Sequence, residues 1–544
     1  MNRFLQFSPA LLALALMIPR ILSPQFGLFD DAVTLRVAHG ISSGNWDVLS
    51  FESSAGRFRP LYWLQYTLVD LLAGDNPLWF FFWNGFVLVV VSLELMALTR
   101  RLGATKGQAW LTGVFFVTSG PVVENAYTLS KPELLQAGLL LAALLAILSD
   151  HPRPAANRMP IVSGLIGAVF FFLAALVKET SLLMLPIALA WFALSLARNE
   201  PLGERVRIRL TAVLVVAALA GVAGYFALRS QFLQLALTGG TYSNNFEWTL
   251  SRFADSAIRW SGWLIRDFAF LLPLGLLPLF DRRHRMERGA GLIVPGLVWT
   301  AAWVVIYLPW EFTVEYYMLP VALGTSSLAA AFLVPTVRSI RQDPAGRRGR
   351  HLPLLVLAAA AWLMTLPNNL SNARIQLAID QANTRILEYV ATILSPSGTV
   401  IVNIQYANEY AVAIEDQLRV LYGIGAADVD IYDPRVGLDS QREDELPIMS
   451  PFVNNQPLLT VRTGVVEDTQ TYWNQALAET LDRTLTPTFH VESRLRLMVV
   501  NLHQILCPLI PERPHCAGTT RLIDTREFRY GWDAYRWTRS LGES

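Results

Sequence analysis

IVSGLIGAVFFFLAALVKETSLLMLPIALAWFALSLA, residues 161–197, decides the fold. These 37 residues carry ionisable side chains only at Lys178 and Glu179, near the midpoint. As one helix they would run about 55 Å, close to twice the ~30 Å hydrocarbon core of a bilayer. The simplest reading is a hairpin of two membrane spans with the Lys178–Glu179 pair at its tip. Residues 109–149 repeat the arrangement, with Glu124, Lys131 and Glu133 near the tip. Residues 290–337 do so again, with Glu311, Glu315, Tyr316 and Tyr317.

Working outward gives about eleven spans, near 4–22, 77–98, 109–124, 133–149, 161–177, 180–197, 210–229, 260–280, 290–308, 316–337 and 352–367. Composition agrees: 53% of the 544 residues are hydrophobic and 16% charged, where a soluble chain has about 25% charged. The fold class expected is a polytopic α-helical membrane domain, 1–367, followed by a smaller soluble α/β or α+β domain, 368–544. The small-x-small pair Ala13 and Ala15 lies within the first apolar run rather than after it, so residues 4–22 read as a retained span and not a cleaved signal.

Loop charge sets the orientation. Loops 99–108, 150–160, 198–209, 281–289 and 338–351 hold 18 Lys/Arg in 56 residues; the alternate loops hold 7 in 101. Basic loops stay cytoplasmic. The N-terminus is therefore expected in the cytoplasm of a plasma (inner) membrane, and the tail outside it. Outside is oxidising, which suits a disulfide between Cys507 and Cys516, with two free thiols as the alternative. The net charge of +1 gives no case for nucleic acid.

The outer ends of the spans gather charge that is costly near a bilayer. The first outer loop, about 23–76, is long enough to suggest a function of its own. It holds Asp30 and Asp31 directly after the first span, then Arg57 and Arg59. Arg266 and Asp267 fall in the outer half of their span. Taken singly, such residues read as solvated tips. Taken together, paired carboxylates suit a general base or a divalent ion, and the cations suit a lipid-borne phosphate.

The order of these motifs resembles the GT-C fold of lipid-phosphosugar-dependent glycosyltransferases, which includes protein O-mannosyltransferases and the aminoarabinose transferase that modifies lipid A. Asp30-Asp31 followed by a segment ending at Gly44-Asn-Trp46 looks like their first-loop acidic pair. Arg59-Pro60-Leu61 resembles the start of their next segment. Pro121 to Leu135, containing Glu124, Lys131 and Glu133, is similar to a segment of O-mannosyltransferases in which arginine commonly stands at the Lys131 position. Lys178-Glu179-Thr180 resembles their Lys-Glu pair. The resemblance covers about residues 1–330. It departs at Asp31, where several relatives have glutamate, and in a tail without tetratricopeptide repeats.

The resemblance implies an inverting transfer of a sugar from a polyprenyl phosphate to an acceptor hydroxyl on a glycan, lipid or protein. Asp30 is then the base, and Asp31 orients it or binds the acceptor. Arg57, Arg59, Lys131, Lys178 and Arg266 are candidates for the phosphate. Glu124, Glu133, Glu179, Glu315 and Tyr316 would hold the acceptor or build the site. No cofactor is required; a divalent cation is compatible but not demanded. In the tail, strands are expected at 399–404, 428–432, 458–466 and 488–499, with helices at 373–394, 405–421 and 469–485. A transporter and a membrane sensor with an extracytoplasmic receptor domain are the alternatives.

Overall fold

The computed structural model describes residues 7–27, 30–50, 52, 56–148, 159–197, 204–232, 246–280, 290–310, 315–342, 344–393, 399–403, 416–424, 429–432, 445–449, 457–462, 525–530 and 533–538. It divides into two compact units. One is Met1–Leu22 with Gly40–Asn369; the other is Ser23–His39 with Leu370–Ser544.

The first unit is helical. Four of its helices are long and apolar enough to cross a bilayer among the described residues: Pro77–Arg101, Glu179–Leu196, Ile208–Gln231 and Tyr316–Arg338. Shorter apolar helices include Ser8–Leu22, Glu133–Leu148, Ile161–Val177 and Leu292–Ile306. Ile161, Leu165 and Val169 are exposed in a row along one helix face, the arrangement expected where hydrocarbon rather than water is the neighbour. The helix Met159–Val177 ends just before Lys178, and a 3-10 turn, Glu179–Leu183, precedes Met184–Ala197. The break falls where the two charges interrupt the apolar run.

Three expected stretches differ from straight spans. The 109–124 stretch is two helices, Lys106–Val117 and Gly120–Ala126. Pro121 sits in the first turn of the second, where its missing N–H costs nothing. The 260–280 stretch is part of a pair, Leu250–Phe268 and Leu271–Leu277, bent by 81°. Its first member carries Arg252, Arg259 and Arg266 at intervals of seven, a polar stripe that a straight span would place in lipid. The stretches read as separate helices at 352–367 and 373–394 are one helix, Pro344–Ile393, which runs through Pro367.

Close helix packing in this unit relies on glycine. A Cβ at Gly221 would lie 2.9 Å from the Phe171 Cβ and 3.0 Å from the Phe172 nitrogen. Small residues of this kind let helix backbones approach when both sides of the contact are equally apolar. Gly324 meets Thr300 and the Gly296 carbonyl in the same way, joining Ala290–Ile306 to Leu319–Gln342.

In the second unit, β1 (Thr399–Asn403), β2 (Val429–Tyr432), β3 (Glu445–Met449) and β4 (Pro457–Arg462) form a mixed sheet in the order β2-β1-β4-β3. β1 pairs parallel with β2, Val400 opposite Val429, and antiparallel with β4, Val400 opposite Val461. A hairpin of β5 (Thr525–Tyr530) and β6 (Asp533–Thr538) was not expected from the sequence. The expected strand 488–499, the expected helix 469–485, Cys507 and Cys516 lie outside the described residues. Of the expected helix 405–421, residues 416–421 are described, and they are helical.

Gly221→Ala should destabilise the purified protein by about 1–3 kcal/mol, the usual cost of overpacking. Gly262→Ala, where nothing lies within 4 Å, should be neutral or slightly stabilising. Thermal unfolding in detergent or nanodiscs checks both.

Candidate functional site

Three parts of the first unit build the site, two of them charged and one aromatic. The first is the loop before the helix Pro60–Ala73. Pro60 fixes the helix start, and residues 56–59 before it form a non-helical strap. Gly56 takes φ 75° there, a left-handed value open to glycine. Its carbonyl accepts from Arg229 Nη2 at 2.9 Å. Arg59 grips Glu52 through Nε at 2.9 Å and Nη2 at 2.5 Å. Arg57 Nη1 stands 3.8 Å from the same carboxylate. Burial alone would raise the Glu52 pKa; the charges of Arg59 and Arg57 overcome it and hold the group below the usual carboxylate range. Burial likewise pulls the Arg57 guanidinium down, aided by its neighbour Arg59 and opposed by Glu52 and Glu179.

The second stretch is the Lys178–Glu179 break. Lys178 has an extended backbone, φ −157° and ψ 130°, which stops the preceding helix. Its ammonium donates to Glu133, the first residue of the helix Glu133–Leu148 and itself fully buried. Glu179 Oε1 accepts the Phe58 N–H at 2.9 Å, tying the break to the strap. One turn beyond Glu133, Gln136 Nε2 donates to Thr180 Oγ1 at 3.0 Å and Ser181 Oγ at 2.8 Å. Burial pulls the Lys178 pKa down to about 8, against the pull of Glu133 toward the charged form.

The third stretch is aromatic. Tyr307 and Tyr317 stack with centroids 4.4 Å apart, and Trp260 lies over Tyr307 at 6.0 Å. Lys178 Nζ sits 4.2 Å from the Tyr317 ring centroid, and Lys131 Nζ 4.1 Å from that of Tyr316. The ring faces are electron-rich and attract both ammonium groups. Asn125 donates to the Tyr316 carbonyl at 3.0 Å and so fixes that tyrosine.

Arg57, Arg59, Lys131, Lys178, Glu133, Glu179 and Tyr316 thus form one connected set. Arg266 is held by Asp267, at 3.1 and 2.8 Å, beside Gly120 and Asn369. Glu124 is partly buried on the short helix Gly120–Ala126, next to Asn125. Glu315 opens the 3-10 turn Glu315–Met318. Asp30 begins the helix Asp30–Ser42, and Asp31, in the second unit, accepts the Gly27 N–H at 2.9 Å. Sequence reasoning missed Glu52 and Tyr307. Neither stands out in a pattern: Glu52 is one acidic residue in an aperiodic loop, and Tyr307 is an aromatic ring at the end of an apolar helix.

A scan against protein-family models finds no match to this chain, and a search of curated proteins finds none. Solved structures do overlap with it. ArnT from Cupriavidus metallidurans bound to undecaprenyl phosphate is 14% identical, with TM-score 0.48, covering 74% of this chain and 83% of that one. The apo oligosaccharyltransferase of Archaeoglobus fulgidus is 12% identical, with TM-score 0.47, covering 73% of this chain. This chain spans 59% of that protein's length.

Glu133→Gln should cost about 3–5 kcal/mol, because it strips a buried lysine of its carboxylate. The double change Glu133→Gln with Lys178→Met should recover most of that loss. Thermal or denaturant unfolding of the two variants beside wild type measures the difference.

Proposed function

We propose that the protein is a membrane glycosyltransferase that moves a sugar from a polyprenyl phosphate to an acceptor hydroxyl at the extracytoplasmic face. The observation that carries the reading is Lys131 and Lys178 on the faces of Tyr316 and Tyr317, with Arg57 and Arg59 on the strap that Glu179 ties to the Lys178 break. Four cations from three stretches are an arrangement suited to a phosphate that gains charge as it leaves. Preorganised cations in a desolvated site stabilise such charge far better than water does.

In this reading Asp30 takes the proton of the acceptor hydroxyl, and Asp31 orients it or holds the acceptor. The hydroxyl attacks the anomeric carbon opposite the phosphate, so configuration inverts. The carbon–oxygen bond to the lipid phosphate breaks, and the phosphate leaves with the electron pair onto the cations. A positioned base contributes about 10²–10⁴-fold. Glu133 and Glu179 act by holding Lys178 and the Phe58 strap. Glu124 and Glu315 are acceptor-side candidates, and Arg266 is a further phosphate candidate. The loop charges support eleven spans, a cytoplasmic N-terminus and an extracytoplasmic tail, in the cell envelope.

Native mass spectrometry tests the donor claim. Wild type should retain a polyprenyl phosphate or its sugar adduct, and Lys178→Ala and Arg57→Ala should weaken it. Asp30→Asn should keep the lipid and lose turnover. Bulk phospholipid alone, equal in all variants, would refute the reading. Lys178 is charged below about 8 and neutral above it. Undecaprenyl phosphate affinity should therefore fall as pH rises through about 8, whereas Lys178→Arg should show no such step; a titration from pH 6.5 to 9.5 compares them.

A further inference from the structure

We infer that Gln417 and Asp416 are positioning residues for the acidic pair Asp30–Asp31, a role that rests on the glycosyl-transfer reading above. All the contacts involved lie within the second unit. Gly27 donates its N–H to Asp31 Oδ2 at 2.9 Å. The carbonyl of the same glycine accepts from Gln417 Nε2 at 2.7 Å. Six residues along the helix that starts at Asp30, Arg36 Nε donates to Asp416 Oδ2 at 2.8 Å. At the other end of the segment, Gln381 Nε2 donates to Ser23 Oγ at 2.7 Å.

The chain between Ser23 and Gly27 has no helix or strand of its own. Its shape is fixed by side chains reaching in from residues more than 350 positions away in sequence. Asp31, Asp416 and Gln417 are all buried, so these bonds form away from competing water and their loss leaves polar groups unsatisfied. The distinctive feature is where the contacts end. Gly27 touches the Asp31 carboxylate itself, so a shift of Gly27 moves that carboxylate. Arg36 and Asp416 fix onto the segment 416–422 the helix whose first turn contains Asp30 and Asp31. A base displaced by about 1 Å loses about 10²-fold in rate. Packing alone would need only apolar contact; a donor on the glycine carbonyl and a charge pair on the helix fix position and rotation.

The test uses the full chain in nanodiscs, with Gln417→Ala, Asp416→Asn and the exchange Arg36→Asp with Asp416→Arg. Hydrogen exchange is followed on peptides from 23–39, with 60–73 as the internal reference. Release of undecaprenyl phosphate is followed from undecaprenyl-phosphate mannose and undecaprenyl-phosphate aminoarabinose, with Asp30→Asn as the reference for lost turnover. The single variants should speed exchange in 23–39 about tenfold or more, leaving 60–73 unchanged. They should lower kcat about 10–10²-fold with donor KM within about twofold. The exchanged pair should recover much of both. Unchanged exchange in 23–39 overturns the proposal, as does faster exchange with unchanged kcat, or a raised KM with kcat intact. If wild type consumes neither donor, the transfer reading itself fails and the role falls with it; that outcome is distinct from an active wild type with indifferent variants.

Discussion

A lysine buried among tyrosines needs a carboxylate, and Glu133 supplies it in a way that ties two helix breaks together. Glu133 opens one helix and Lys178 closes another. Their pairing brings the two ends within reach of the further bonds from Gln136 to Thr180 and Ser181. From there Glu179 holds the Phe58 N–H, and the strap that carries Arg57 and Arg59 is drawn in. The order matters energetically. An unpaired buried ammonium would be driven to give up its proton, and a neutral lysine has no attraction for an anion. The pair keeps the charge while the tyrosine faces lower the cost of keeping it dry.

Two carboxylates in the set hold cations closely: Glu52 holds Arg59, and Glu133 holds Lys178. Such pairing does not abolish attraction for a phosphate, because a guanidinium or ammonium has more donors than one carboxylate occupies. It fixes where those donors point. A charged ligand then meets cations that need little rearrangement, which is the condition under which electrostatic stabilisation acts on a leaving group rather than on its initial binding.

Much of this was legible in the sequence where charge interrupts apolarity. Lys178 and Glu179 stand out because the residues around them are lipid-compatible, and Lys131 and Glu133 stand out for the same reason. Glu52 could not be read this way, since the loop around it is already polar and has no period. Hydropathy also averages over breaks. It merges Lys106–Val117 with Gly120–Ala126, and it joins an amphipathic helix to an apolar one across the 81° bend at residues 268–271. Pro367 misleads in the opposite sense: it suggests a stop, yet the helix Pro344–Ile393 continues through it, as prolines can where neighbouring groups satisfy the freed carbonyl. The pairing of Arg36 with Asp416 spans 380 residues, and no local pattern encodes a contact of that range.

Arg57, Arg59, Lys131 and Lys178 are proposed to hold a lipid phosphate, and that contact is open to direct test. Photo-crosslinking with a polyprenyl phosphate bearing a diazirine next to the phosphate, followed by peptide mapping, addresses it directly. The account predicts labelled residues within 56–63, 127–136, 177–183 and 303–318, with labelling suppressed by unlabelled undecaprenyl phosphate. Labelling confined to the arginine-rich stretches 281–289 and 338–351, or spread over the lipid-facing helices without competition, would contradict it.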